Sequence, residues 1–123
     1  MQRDIVKIAN LIAKKMIAEK DKPMFDTLRE VAKKVVPTGG QVWLYGSRAR
    51  GEARADSDWD ILILLSQSNV SSRDEDEIAY PFVYTGWQND SAVSPQLYTF
   101  DEWNNRSFTP YYQNVENDKI QLL

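Results

Sequence analysis

Residues 42–47 read Val-Trp-Leu-Tyr-Gly-Ser, and after ten intervening residues the stretch 58–65 reads Asp-Trp-Asp-Ile-Leu-Ile-Leu-Leu. The first stretch is rich in β-favouring residues and predicts a short strand over 41–45 that ends at Gly46. The second is apolar on both faces beyond Asp60, which is typical of a central strand buried on both sides. Together they predict strand, small-residue turn, polar loop and strand, with Asp58 and Asp60 at the mouth of the second strand.

These two carboxylates are predicted to form a metal site. Because side chains alternate along a strand, Asp58 and Asp60 should point to one side and Trp59 to the other. Two like charges repel unless a cation lies between them. Mg²⁺ favours one or two carboxylates together with the phosphate oxygens of a substrate.

The turn after the first strand is predicted to bind phosphate. Gly46 allows close approach of the backbone, Ser47 adds a hydroxyl donor, and N–H groups exposed after a strand can cradle a phosphate. Arg48, Arg50 and Arg54 lie in the same loop and could neutralise a triphosphate. Each of these features alone is most often structural, but their occurrence together at this spacing favours function.

Composition leaves few other candidates for chemistry. The chain has no cysteine and no histidine, which excludes disulfides, thiol nucleophiles, Cys/His zinc sites and imidazole-based triads. A net charge of −3 argues against a dedicated duplex-binding protein, which needs a basic stripe. The first helix candidate is interrupted by lysines and predicts neither a secretory segment nor a membrane span. We expect one domain, 1–123, in the cytoplasm.

The rest of the pattern predicts helices and one further strand around this centre. The helices are expected over 5–17, over 25–35 after Pro23, over 75–86 despite Pro81, from the capping box that begins at Thr99, and over 111–120 after Thr109 and Pro110. A third strand is expected over 93–99, at a sheet edge or with a bulge because of Pro95. Aromatic residues of the C-terminal half are predicted to be core or interface residues: Tyr80, Tyr84, Trp87, Tyr98, Trp103, Tyr111 and Tyr112.

Residues 46–53 (GSRARGEA) and 57–62 (SDWDIL) resemble the signature of the polymerase-beta-like nucleotidyltransferase superfamily. The resemblance is closest to its minimal nucleotidyltransferases, which are small single-domain bacterial and archaeal proteins. In their GS…DxD pattern ten residues separate the Ser from the first Asp, as residues 48–57 do here.

This resemblance implies an α/β (α+β) fold, a small mixed sheet flanked by helices. It implies transfer of a nucleoside monophosphate from an NTP to an acceptor, with release of pyrophosphate. By position, Gly46 and Ser47 would hold the β- and γ-phosphates with Arg48 beside them. Asp58 and Asp60 would be the catalytic ligands of Mg²⁺ or Mn²⁺. The frequent partner in this family is a helical HEPN-type protein in toxin–antitoxin-like pairs, and self-association is the alternative.

One position departs from the family pattern. The superfamily usually supplies a third carboxylate from a later strand, and Ser94 occupies the expected position here. Asp90 lies upstream and Asp101 downstream, outside the strand. Two hypotheses therefore follow: a working nucleotidyltransferase, or a weakened nucleotide-binding, regulatory module that binds a partner protein.

Overall fold

A four-stranded mixed sheet forms the centre of the part of the chain that the computed structural model describes, which is Ile5 and residues 17–123. The strands are β1 (Gln41–Tyr45), β2 (Trp59–Leu65), β3 (Val93–Thr99) and β4 (Ile120–Gln121), in the order β3-β2-β1-β4. Strand β1 is antiparallel to β2 and β4, whereas β2 and β3 are parallel. The mixed sheet with flanking helices confirms the predicted fold class.

Helices cover both faces of this sheet. A 3₁₀ turn (Glu19–Asp21) leads into α1 (Lys22–Val35), and the others are α2 (Ser47–Arg50), α3 (Ser72–Asp74), a π-helical segment (Glu75–Ala79), α4 (Tyr80–Gln88), α5 (Phe100–Asn104) and α6 (Pro110–Asp118). On one face, α1 and α4 pack Phe25, Leu28 and Phe82 against the sheet. On the other, α5 and α6 contribute Trp103 and Val115. Burial of each such side chain contributes about 1.5–3 kcal/mol.

Strand β2 is central and buried on both sides, as its sequence predicts. Ile61 and Ile63 belong to the core under α1 and α4, whereas Leu62 and Leu64 belong to the core under α5 and α6. All four are fully or almost fully buried. The apolar run after Asp60 therefore exists because helices lie on both faces of this strand.

The helix predictions are confirmed for α1, α5 and the start of α6. The helix expected over 5–17 lies outside the described residues, apart from its two end positions. The helix expected over 75–86 is present but begins earlier, at a capping box in which Ser71 and Asp74 bond each other's backbone N–H groups. Proline lacks an N–H and crowds the preceding turn. The π-helical segment widens that turn just before Pro81, so the helix passes the proline.

The C-terminal segment differs from its prediction. The helix expected to reach residue 120 ends at Asp118, and Ile120 instead pairs with Leu44 as part of β4. Burial of Ile120 beside β1 outweighs continuation of the helix. Strand β3 lies at the sheet edge, which confirms the expectation drawn from Pro95.

The loop between β1 and β2 contains one element that the sequence pattern does not predict, the short helix α2. Gly51 ends it in the left-handed conformation, with φ of 71°. In the described part of the chain, no helix has the length and apolarity needed to cross a membrane.

Candidate nucleotide and metal site

The two aspartates of the DxD pattern lie at one end of β2. Asp58 is exposed and directly precedes the strand, whereas Asp60 is half-buried within it. Asp60 lies between its two cross-strand partners, Tyr45 of β1 and Ser94 of β3. Trp59, between the aspartates in sequence, is buried in the core. The structure therefore brings both predicted ligands together at the sheet end.

Electrostatics at this position favour a bound cation. Burial raises the pKa of the Asp60 carboxyl, and the charge of Asp58 raises it further, whereas Arg50 lowers it. A carboxyl whose pKa is raised in this way lacks sufficient positive charge nearby for its ionised form. A divalent cation would supply that charge, and two adjacent carboxylates fit the oxygen ligands that Mg²⁺ prefers.

Gly46 brings the turn after β1 against this carboxylate. Its backbone has φ of 77°, which favours glycine. A Cβ atom built at this position would overlap Oδ2 of Asp60. The backbone that is predicted to hold phosphate thus directly contacts a predicted metal ligand.

We expect Gly46→Ala to impair nucleotide binding and the fold together. The new methyl group would displace the Asp60 carboxylate. The Gly46 backbone, with φ of 77° and ψ of −158°, is one that almost only glycine adopts, so a side chain would add strain of about 1–3 kcal/mol. Nucleotide affinity measured by calorimetry should fall, and the midpoint of urea unfolding should fall with it. Gly51→Ala is the control for backbone strain, because Gly51 also has a positive φ, 71° with ψ of 20°, but lies at the end of α2. If Gly51→Ala lowered nucleotide affinity as much as Gly46→Ala, the specific role of Gly46 would be wrong.

Ser47 begins α2 directly after this glycine and is half-buried. The first N–H groups of a helix have no partner within the helix, so Ser47 offers a hydroxyl and a main-chain donor near the carboxylates. Its predicted contact with phosphate stays a prediction.

Arg48 turns into the protein and holds the loop that leads to Asp58. Its side chain is 6% exposed and pairs with buried Asp21 at 2.8 Å. Its Nη2 donates to the carbonyl oxygens of Ser57 at 2.8 Å and Ala55 at 3.3 Å. The guanidinium also lies over the Trp59 ring, 4.9 Å from its centroid. These contacts give Arg48 a positioning role, and its direct contact with phosphate stays a prediction.

Of the other two loop arginines, Arg50 is the one whose charge reaches the site. Its side chain is exposed and bonds Asp118 at 2.5 Å and Glu52 at 3.1 Å, and its charge lowers the pKa of Asp60. Arg54 is exposed, and its backbone N–H donates to Ser57 Oγ. Arg50 is therefore the better candidate for contact with a triphosphate.

The position expected to carry the third carboxylate is beside the aspartates and holds Ser94. Ser94 pairs with Asp60 in the parallel ladder, and its hydroxyl donates to Asp58 Oδ2 at 3.4 Å. Asp90 lies in the loop before β3, with φ of 53°, and Asp101 lies in α5. Among the described residues, no group of three or more acidic, His or Cys side chains is arranged to hold a metal ion.

Sequence reasoning missed a tyrosine pair beside Asp60. The hydroxyl groups of Tyr45 and Tyr111 lie 3.0 Å apart, and their rings meet edge to face. Burial raises the pKa of Tyr45, and the hydrogen bond to Tyr111 and the charge of Asp60 raise it further. Because Tyr45 directly precedes Gly46, the sequence could have indicated that Tyr45 lies at the site. Nothing in the sequence indicates that α6 brings Tyr111 to it.

Solved structures similar to this chain include toxin–antitoxin proteins. One is a toxin–antitoxin with AMP-PNP, which matches with a TM-score of 0.57 and 19% identity over 80% of this chain and 72% of that chain. A mutant form of the toxin–antitoxin MntA–HpeT gives a TM-score of 0.55 and 20% identity, with the same coverage. At such identities these likenesses show the fold.

A further match is the complex of a tri-AMPylated Shewanella oneidensis HEPN toxin with an MNT antitoxin. Its TM-score is 0.50 at 20% identity, over 80% of this chain and 68% of that chain. No curated protein sequence matches significantly. Residues 26–120, well over half of the chain, match the model of the nucleotidyltransferase domain. The chain therefore belongs to the nucleotidyltransferase domain family.

Proposed function

We propose that this chain transfers a nucleoside monophosphate from an NTP to an acceptor hydroxyl in a reaction that depends on Mg²⁺ or Mn²⁺. The observation that carries the proposal is the contact between the Gly46 backbone and the Asp60 carboxylate, with Asp58 beside them. A phosphate-binding turn and a metal site in contact suit a nucleoside triphosphate that bridges them. Membership of the nucleotidyltransferase domain family supports the reaction class.

The position of each residue indicates its proposed role in the reaction. Asp58 and Asp60 would hold the metal, which when bound stabilises negative charge on the transferred phosphoryl group and on the leaving pyrophosphate. Gly46 and Ser47 would hold the β- and γ-phosphates, and the charge of Arg50, which already acts on Asp60, would attract them. The acceptor hydroxyl loses its proton to solvent and its oxygen forms a bond to the α-phosphorus, while the bond from that phosphorus to the pyrophosphate oxygen breaks. Correct alignment of these atoms supplies much of the rate enhancement.

We propose a protein as the acceptor and ATP as the donor. The similar structures include an antitoxin in complex with a tri-AMPylated HEPN toxin and a toxin–antitoxin with AMP-PNP. A helical HEPN-type protein is accordingly the first acceptor to test. Asp58, the outer of the two carboxylates, is exposed, so the site is accessible to a protein side chain.

The direct test is label transfer. The chain is incubated with Mg²⁺, ATP labelled at the α-phosphate and a HEPN-type protein, and the acceptor is analysed by mass spectrometry. We expect addition of an AMP group to a hydroxyl side chain, lost when EDTA is present. Metal-dependent ATP binding without transfer to any acceptor would contradict the enzymatic proposal and favour the second candidate.

That second candidate is a nucleotide-binding, regulatory module with weakened catalysis that binds a partner protein. The observation that favours it is Ser94, a neutral side chain beside both Asp58 and Asp60. Two carboxylates suffice for one metal–nucleotide complex, whereas a pair of catalytic metals needs further ligands.

Ser94→Asp tests whether this position limits the reaction. With saturating Mg²⁺, we expect the new carboxylate to raise the transfer rate about tenfold, the lower end of the effects seen when the surroundings of a metal change. Ser94→Asn is the control, because it has nearly the same size as Asp and no charge. Initial rates of label transfer measure the effect. An equal gain with Asn, or a loss with Asp, would show that a third carboxylate does not limit this site.

A further inference from the structure

Three aromatic side chains form an exposed stripe on α4, away from the carboxylates. Tyr80, Tyr84 and Trp87 have the spacing i, i+4 and i+7, which places them on one helical face. They are 49%, 49% and 62% exposed. Tyr80 stacks on Tyr84 with centroids 6.3 Å apart and meets Trp87 edge to face at 6.1 Å. We call these three residues the aromatic stripe.

The stripe is not needed for the core. Helix α4 packs on the sheet through Phe82 and Gly86, both buried, and the aromatic stripe lies outside that contact. A contiguous group of exposed aromatic rings marks an interaction site more often than isolated apolar residues do. Tyrosine and tryptophan are also the residues that most often anchor protein interfaces.

The charges along this helix are acidic. Residues 74–90 contain five acidic residues and no Lys or Arg, the acidic residues being Asp74, Glu75, Asp76, Glu77 and Asp90. Asp76 and Glu77 precede Tyr80 by four and three residues and are exposed. Asp90 is exposed and follows Trp87 by three residues. Negative charge therefore stands at both ends of the aromatic stripe.

Three cations of the neighbouring described elements have partners of their own. Arg73 pairs with Glu77 at 2.8 Å. On α1, which packs beside α4, Lys33 pairs with Glu30 and Arg29 donates to the carbonyl of Leu122. Within the described part of the chain no ion pair engages Asp76, and the exposed Trp87 ring can meet a cation from outside.

This chemistry selects the class of partner. Anionic lipid headgroups and nucleic-acid phosphates are repelled by acidic residues. Lysine and arginine side chains suit the surface, since their aliphatic stems pack on rings and their charged ends meet carboxylates or ring faces. We propose that the aromatic stripe with Asp76 and Asp90 is the docking surface for a helix of a partner protein that carries Lys or Arg beside apolar residues.

The surface borders the end of the sheet that carries the carboxylates. The loop 89–92 connects α4 to β3, and the N–H of Trp59 donates to the carbonyl of Ala92 at 2.8 Å. A docked partner would thus lie near Asp58. The docking itself requires neither nucleotide nor metal, so its test is independent of the proposed transferase activity.

The test uses the full chain labelled with ¹⁵N and two synthetic helical peptides of equal length, one of Lys and Leu and one of Glu and Leu. We expect the Lys peptide to shift the indole N–H signal of Trp87 and the amide signals of α4, and to bind more weakly as salt is added. We expect the Glu peptide to leave these signals in place. Binding of both peptides with equal strength, or shifts confined to other surfaces, would overturn the proposal.

Variants distinguish binding to the aromatic stripe from non-specific binding of the peptide. Trp87→Ser and Tyr84→Ser should each weaken binding of the Lys peptide about tenfold or more, as expected for aromatic anchor residues. Asp76→Lys should weaken it through charge alone. Phe108→Ser is the control, because Phe108 is 85% exposed and lies outside the stripe. The proposal fails if Phe108→Ser weakens binding as much as Trp87→Ser, or if Asp76→Lys leaves it unchanged.

Discussion

Asp60→Asn is expected to slow metal-dependent transfer strongly and, at the same time, to stabilise the fold. Loss of a carboxylate that holds the metal should reduce the transfer rate by about 10²–10³-fold, the size found when one electrostatic contact to a transition state is removed. The pKa of Asp60 is raised in the folded protein by burial and by Asp58. Asparagine keeps the shape of the side chain and removes this unfavourable charge.

The sign of the stability effect follows from that raised pKa. Folded protein binds the Asp60 proton more tightly than unfolded protein, so stability falls as pH rises from the ordinary pKa of an aspartate through the raised one. At neutral pH the ionised carboxylate therefore destabilises the fold, and Asp60→Asn removes that penalty. Without metal at pH 7, the Asp60→Asn variant should melt at a higher temperature than the unchanged protein. At low pH the two melting temperatures should differ less.

Ligand-induced stabilisation supplies the second measurement. Mg²⁺ with ATP at about 100 times its dissociation constant should stabilise the unchanged protein by about 2.7 kcal/mol, and Asp60→Asn should lose this response. Asp56→Asn is the matched control, since Asp56 is an exposed acid of the same loop with no assigned role. A variant that transferred label normally would exclude Asp60 as a ligand. One that lost transfer but melted at a lower temperature would indicate a folding defect.

Much of the fold follows from local sequence signals. The run after Asp60 predicts a strand buried on two sides because apolar residues on both faces need cover on both faces. The capping signals at Thr99 and Thr109 predict helix starts because their side chains satisfy local N–H groups, and both are present. Strand β4 could not be predicted in this way. Its two residues become a strand only because Ile120 meets Leu44, a contact distant in sequence.

The candidate site also contains residues that local sequence signals predict and residues whose positions depend on distant contacts. The strand–turn–strand pattern identified Asp58, Asp60 and Gly46 as candidates, the family resemblance implied their roles, and the structure places the three residues together. The sequence cannot show that Arg48 turns inward, because its partner Asp21 lies 27 residues away and belongs to no motif. Side-chain direction in an irregular loop is decided by such distant contacts.

The buried position of Arg48 leads to the second large expected effect, a loss of about 3–5 kcal/mol in the free energy of unfolding for Arg48→Met. Removing one member of a buried ion pair leaves the other charge without compensation, and Asp21 is only 4% exposed. Urea unfolding measures the loss. Arg54→Met is the matched control, because the exposed Arg54 side chain lies in the same loop, and we expect it to change the unfolding free energy by less than about 0.5 kcal/mol.

Two further variants separate charge from geometry at this position. Asp21→Asn in the Arg48→Met background should recover part of the lost stability, since it removes the uncompensated carboxylate. Arg48→Lys keeps the charge but loses the fork that reaches Asp21 and the carbonyls of Ala55 and Ser57 together. If Arg48 acts by holding this loop, Arg48→Lys should lower the transfer rate more than the affinity of the protein for ATP. The reason is that Asp58 directly follows Ser57, whose carbonyl Arg48 holds. If Arg48 binds phosphate instead, Arg48→Lys should lower the affinity for ATP more than the transfer rate. In that case Asp21→Asn in the Arg48→Met background should restore stability but not the affinity for ATP.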